Sequence, residues 1–174
     1  MNTITNFGFL ILATLLLHQI NKVESNDLIP VACSTALDKS FCESSLRSQP
    51  ESKGADLNGL SIISLKLAEA NANKVTSQVS KLQQKETDKF VKAALTDCLE
   101  NYQTALEEIQ DSITAFKSKR YGDVNTWVTA AMTDAESCQD GFKNGQSPMT
   151  DSNTVFSRHC SNVLAITNKA AAGH

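Results

Sequence analysis

The chain has 174 residues, one domain's worth, and a net charge of −3, with no basic stripe of the kind nucleic acid demands. Aromatics are only 6% and there are 7 glycines and 3 prolines, a composition that disfavours a sheet sandwich and suits helices.

At the N-terminus, residues 7–17 (FGFLILATLLL) form an apolar run too short to span a bilayer. The run fits the core of a signal peptide, and Val23-Glu24-Ser25 supplies the small residues a signal peptidase prefers. Residues 1–25 are therefore expected to be a signal peptide cleaved near Ser25, although residues 1–6 carry no lysine or arginine. The alternative is an uncleaved anchor. No second apolar run follows, so the mature chain is expected to be secreted and free of the membrane. All five cysteines, Cys33, Cys42, Cys98, Cys138 and Cys160, then lie in an oxidising compartment, where an even subset should pair. No Cys-x-x-Cys and no His-Cys cluster has zinc spacing, so no metal is expected.

Residues 26–49 read as a short helical hairpin. Ile29-Pro30 disfavours a helix entering from the left, Glu43 to Arg47 can add one turn, and Ser48-Gln49-Pro50 breaks it. A Cys33–Cys42 bridge would pin this unit and contribute about 2.5 kcal/mol in the chain-entropy account. The spacing predicts a first long helix over 56–83, capped by Asp56, with Leu60, Ile63, Leu67, Ala70, Val75, Val79 and Leu82 inward and Ser, Asn, Lys and Gln outward. After a polar break at 85–88, Asp88 can cap a second helix running to Lys117. Its stripe is Val91, Leu95, Cys98, Tyr102, Ala105, Ile109 and Phe116, with Glu100, Glu107, Glu108 and Asp111 off it. Lys117-Ser118-Lys119-Arg120-Tyr121-Gly122 is the turn, and its cations suit a helix C-terminus.

Residues 121–142 form the third helix. Val124, Val128, Ala131, Ala135, Cys138 and Phe142 step by four and three, the stripe a helix presents to a bundle core. Gly145 can take a left-handed C-cap and 146–148 is a linker. Thr150, Asp151 or Ser152 caps a last helix, with Val155 or Phe156, His159, Val163, Ile166 and Ala170 inward. The result is an all-α chain: an N-terminal helical hairpin over 28–49 and an up-down-up-down four-helix bundle over 55–170.

Geometry selects one disulfide pairing. In an antiparallel hairpin, residues equidistant from the turn stand level, and the midpoint of Cys98 and Cys138 is Ser118, inside the turn. Both cysteines lie on facing apolar stripes, near enough to bridge. Closing that loop is worth about 4 kcal/mol in the entropic account. Cys33–Cys42 follows as the local pair. Cys160 is left as a buried free thiol, which packs as a small hydrophobe.

Catalytic machinery is hard to find. His159 and Cys160 are adjacent on a helix, and neighbours in sequence do not face each other. No Gly-x-Ser-x-Gly, His-Glu-x-x-His or phosphate-cradling loop occurs, and Glu107-Glu108 reads as a solvated face. No N-glycosylation sequon is present. Trp127 is expected in the core; Tyr121, in the turn, is expected to be exposed and able to anchor a partner. A module that binds another protein fits best, a ligand-carrying or signalling bundle is second, and an enzyme is last. No cofactor is expected.

The ordered residues Cys33, Phe41-Cys42 and Leu46, then Ala55-Asp56-Leu57-Asn58-Gly59-Leu60, carry a resemblance that continues through Cys98-Leu99-Glu100-Asn101-Tyr102, Trp127-Val128-Thr129-Ala130-Ala131-Met132-Thr133-Asp134 and Ser137-Cys138-Gln139-Asp140-Gly141-Phe142. Over about 29–168 the chain resembles the plant invertase and pectin methylesterase inhibitor family. The resemblance implies a four-helix bundle with an N-terminal hairpin and two disulfides paired as above. It also implies a non-catalytic protein of the apoplast, or alternatively the vacuole, that is monomeric when free and blocks an enzyme's substrate cleft in a 1:1 complex. The target is pectin methylesterase or, alternatively, an invertase (beta-fructofuranosidase).

Invertase inhibitors of the family carry Pro-Lys-Phe near the turn before the third helix; here that region reads Arg120-Tyr121-Gly122-Asp123. The segment from His159 to Asn168, with its leftover Cys160, resembles the last helix of esterase inhibitors. Gly145-Gln146-Ser147-Pro148-Met149-Thr150 is instead similar to a Ser-Pro-x-Thr linker of the invertase type. The esterase is the preferred target. Carried onto this sequence, the target-binding candidates are Asn101, Tyr121, Thr129, Thr133, Asp134, Glu136 and Asp140.

Overall fold

The computed structural model describes residues 27–142 and 147–173. The apolar run at 7–17, the cleavage position at Ser25 and the C-cap at Gly145 lie outside them. The described elements, in order, are α1 (Ile29–Ala32), α2 (Lys39–Arg47), a 3-10 turn (Pro50–Ser52), α3 (Leu57–Lys85), α4 (Lys89–Lys117), α5 (Tyr121–Asp140) and α6 (Thr150–Ala172). Among the described residues there is no strand, and no helix is long and apolar enough to cross a membrane.

The helix starts follow local chemistry. The Asp56 carboxylate accepts from the Gly59 amide at 2.7 Å, and Asp88 accepts from the amides of Phe90 and Val91, so each answers backbone donors the first turn leaves open. Asp38 does the same for α2 by accepting from Phe41 N. That cap starts α2 at Lys39, so the helix is nine residues long rather than the single turn expected over 43–47. In α1, Pro30 sits in the first turn, where its missing N–H costs nothing. The last helix departs from expectation. Its N-cap is Met149, with no side-chain cap, and Thr150 is already helical. Ser147 organises the approach instead: its hydroxyl accepts from Met149 N and its carbonyl accepts from the Thr150 hydroxyl. Lys119 turns the chain between α4 and α5 with a φ of 57°.

Sequential helices pack side by side, and α6 closes against both α5 and α3, which makes an up-down-up-down bundle. Tyr102, Phe116, Phe156 and Met149 fill the main core with alanines and valines from all four helices. Tyr102 and Phe156 meet edge to face at 5.3 Å. The α1–α2 hairpin rests on α3 and α6 through its own small core, Ile29, Ala32, Cys33, Cys42 and Leu46 against Leu60 and Ile166.

The inward stripe of α3 differs from the expected one. Ala70 is exposed and Ile63 and Leu67 are half-buried, whereas Ser61, Ser64, Leu65, Ala68 and Ala72 are buried. The reason is that α3 has two partners in its first half. Ile63 and Leu67 pack against the hairpin core, and the bundle takes the next arc of the helix. The two buried serines satisfy their hydroxyls on their own helix, by donating to the carbonyls of Leu57 and Ser61.

Both expected disulfides are present. Cys98–Cys138 ties α4 to α5 with a Cα–Cα distance of 4.4 Å, and Cys33–Cys42 closes the hairpin at 5.8 Å. Cys160 is free and buried in the main core.

Candidate functional site

The hairpin of α4 and α5 is the part of the bundle held most firmly from within. The Cys98–Cys138 bridge sits at its open end, and beside it Asn153 of α6 accepts from the Tyr102 hydroxyl at 2.8 Å and donates to Gln139 at 3.0 Å. At its closed end the Phe116 and Tyr121 rings meet edge to face at 5.5 Å. Arg120 is ion-paired with Asp123 across the same turn. Tyr121 is therefore not the free aromatic of the turn that the sequence suggested; it opens α5 half-buried.

The candidate binding residues divide into two sets. Thr129, Thr133, Glu136 and Asp140 step by four, three and four along α5 and are all exposed. They make one outward stripe opposite the buried Val128, Ala131, Ala135 and Cys138. The Thr133 hydroxyl donates back to the Thr129 carbonyl, which leaves its oxygen outward as an acceptor. Asn101 and Asp134 are half-buried instead. Asp134 lies near Glu108 of α4 across the seam between the helices, close enough for the charge of one to act on the other. Asn101 stands seven residues before Glu108, two turns away on the same side of α4.

Glu108 was expected on a solvated face, yet one of its carboxyl oxygens, like one of Asp134's, is sealed from water without a donor. Burial first, then the nearby Asp134 charge, push the Glu108 carboxyl up to about 7; burial also raises Asp134. Trp127 is also placed differently from expectation. It is 37% exposed on the α5 surface, outside the core. It stands on the same helix as the outward stripe, and only tertiary packing decides which side of an aromatic this close to a helix start is covered.

Between α5 and α6 runs an open groove of about 430 Å3. Met132 and Ala135 line it, Glu136 and Gln139 edge it, and the Arg158–Asp38 ion pair closes one end. Leu37, in the loop between α1 and α2, overhangs it at 93% exposure. His159 and Cys160 do not meet as a catalytic pair. His159 is half-buried against the Phe41 ring at 4.9 Å, and burial lowers its pKa to about 4. Cys160 is in the core, where burial pushes its thiol far above the ordinary range and so keeps it protonated and unreactive. Among the described residues no group of three or more His, Cys, Asp or Glu could hold a metal ion.

Comparison with known proteins agrees with this architecture. A family profile described as plant invertase/pectin methylesterase inhibitor matches residues 27–166. A protein of Platanus acerifolia, provisionally named an invertase inhibitor, is 33% identical over 166 residues, covering 90% of this chain and 93% of its own length. A pectinesterase inhibitor of Actinidia deliciosa is 29% identical over 146 residues, covering 82% and 79% respectively. A crystal structure of a mutant form of a pectin methylesterase inhibitor from Arabidopsis superposes with a TM-score of 0.72 at 22% identity, over 82% of this chain and 97% of that one, and so shares the fold. The chain belongs to the plant invertase/pectin methylesterase inhibitor family, and the relatives it matches over most of their length are named inhibitors of enzymes.

Proposed function

We propose that this chain inhibits pectin methylesterase by laying the outward face of α5 over the enzyme's substrate cleft in a 1:1 complex. Residues 1–25 direct the protein to the secretory route, and the mature inhibitor acts in the apoplast as a free monomer that needs no cofactor. The contact residues are Thr129, Thr133, Glu136 and Asp140 on the outward stripe, with Asn101 and Asp134 on the α4 side of that helix and Tyr121 at the far end of the helix. Helix geometry puts Tyr121 and Asp140 about 29 Å apart, long enough to cross a polysaccharide-binding cleft.

The turn between α4 and α5 carries the choice of target. An inhibitor that plugs an active site from this turn needs a projecting cation or ring. Here the Arg120 guanidinium is held by Asp123 and the Tyr121 ring is folded onto Phe116, so neither projects freely. What remains for docking is the polar stripe, which suits a broad and polar contact. The alternative target, an invertase of the cell wall or vacuole, is favoured by one observation: the Platanus relatives provisionally named invertase inhibitors are 33% identical, against 29% for the Actinidia pectinesterase inhibitor.

Substitution of the stripe tests the docking face. Thr133→Arg and Asp140→Arg change exposed positions and leave the helix intact, so the circular dichroism spectrum should not change. Inhibition of the esterase should weaken by about tenfold or more for a contact at the centre of the interface. Unaltered inhibition by both variants would remove α5 from the interface.

A further inference from the structure

From Ala70 to Lys85, α3 contains three lysines and no acid, although the whole chain carries a net charge of −3. Lys74, Lys81 and Lys85 are spaced by seven and four residues, two turns and one turn, so they stand in a single row on the helix surface. All three are exposed. The row lines an open groove of about 450 Å3 together with Ser77, Gln78 and Leu82. The four ion pairs among the described residues are all made by arginines, and none of these lysines joins one. The flanking acids are engaged elsewhere. Glu69 accepts from Gln110 at 3.1 Å, and Glu86 accepts from the amides of Thr87 and Asp88. Asp151 of α6 stands beside Ser152, whose hydroxyl donates to Gln78 at 2.8 Å, and lies outside the lining.

Helix geometry spreads the three charges over about 16 Å in a line. A linear polyanion matches this row better than a compact anion, which one or two lysines would hold. Ser77 and Gln78 lie between the charges and offer hydroxyl and amide groups suited to sugar hydroxyls. Leu82 is the one large apolar side chain of the lining, too little for the desolvated core of a protein contact. With no aromatic and three cations, the lining also lacks the apolar anchor and the larger basic cluster that an anionic membrane calls for. We propose that the Lys74, Lys81 and Lys85 row of α3 binds an acidic polysaccharide, one bearing free carboxylates along its chain. The choice of polymer rests on the reading of the target as pectin methylesterase, because hydrolysis of each methyl ester leaves one carboxylate on the polymer.

The bundle keeps this row clear of the face read as the docking surface. Both α3 and α5 pack on α4 and α6, so they stand diagonally across the bundle and their outward surfaces point apart. Polymer on α3 and enzyme on α5 can therefore be held at the same time. A fully esterified polymer is neutral and gives the lysines nothing to pair with. Charge appears on it as the esterase works, so the inhibitor gathers on polymer already de-esterified, next to the enzyme that made it. The attraction is between exposed charges and falls steeply with salt.

The test titrates the mature chain calorimetrically with polygalacturonate, and with the same polymer methyl-esterified, at low ionic strength. The charged polymer should bind and the esterified one should not. K74Q, K81Q and K85Q should each weaken binding about three- to fivefold, and the triple variant should abolish it. K66Q removes an exposed lysine of the same helix outside the groove and should bind as wild type does. Circular dichroism should be the same for all, since every change is at an exposed helix position. In salt high enough to suppress polymer binding, the triple variant should inhibit the esterase as well as wild type does. Equal binding of charged and esterified polymer, or undiminished binding by the triple variant, overturns the site. Equal weakening by K66Q overturns it as well, leaving only an effect of net charge. Tighter binding to phosphatidylserine vesicles than to the polymer overturns the assignment to a polysaccharide. Polymer binding by a protein that inhibits no esterase upholds the lysine row and overturns the reading of the target.

Discussion

Single residues show how the bundle uses its few polar interior groups. Tyr102 and Asn153 are both buried, and the tyrosine hydroxyl donates to the amide oxygen at 2.8 Å beside the Cys98–Cys138 bridge. Tyr102→Phe removes the donor while keeping the ring against Phe156. The expected cost is about 1–2 kcal/mol, read from urea unfolding, because Asn153 is left with an acceptor that no water reaches. Cys160 makes a prediction of a different kind. It should resist a thiol reagent in the folded protein and react once under denaturant, giving one thiol in total. Two or more thiols would contradict the disulfides. His159 also bears on pH. It should remain neutral well below the usual imidazole midpoint, so acid weakens the packing of α6 against Phe41 in the hairpin, and a proton NMR titration of its ring should show a midpoint near 4.

At the scale of elements, the α4–α5 hairpin carries the Cys98–Cys138 bridge and the face proposed for docking. Replacing Cys98 and Cys138 together by alanine should cost up to about 4 kcal/mol and lower the melting temperature by on the order of 10 °C, while helicity at 20 °C is retained. Inhibition should weaken as well, because the seam that fixes the outward stripe is then free to slide. Much of this element was legible beforehand. Asp56 and Asp88 announced helix starts, and the level placement of Cys98 and Cys138 about Ser118 announced their bridge. These are local or pairwise signals, and sequence carries them directly. The α3 stripe was misread because that helix faces two partners, the bundle and the hairpin, and one periodic stripe cannot describe two contact directions. Glu108 was taken for a solvated acid for a related reason. On its own helix it is off the apolar stripe; only the packing of α5 against α4 brings Asp134 near it. Trp127 was assigned to the core from its chemistry, whereas its exposure depends on where α5 begins.

The whole molecule is a scaffold that does no chemistry of its own, and its rigidity is what a blocking protein requires. Four helices of 20 to 29 residues enclose a core of small side chains with two large aromatics at its centre, and the hairpin buttresses α3 and α6. A preorganised face loses little entropy on docking, so modest polar contacts suffice for a stable complex. The fold and family membership leave two enzyme classes as targets, and the proposed reading uses the turn at 120–123 to choose between them. The most direct test is to add the purified mature protein to a plant pectin methylesterase and, separately, to an acid invertase, and to titrate both activities. The esterase should lose activity with a 1:1 end point while the invertase is unaffected. Inhibition of the invertase alone, or of neither enzyme, would contradict the account.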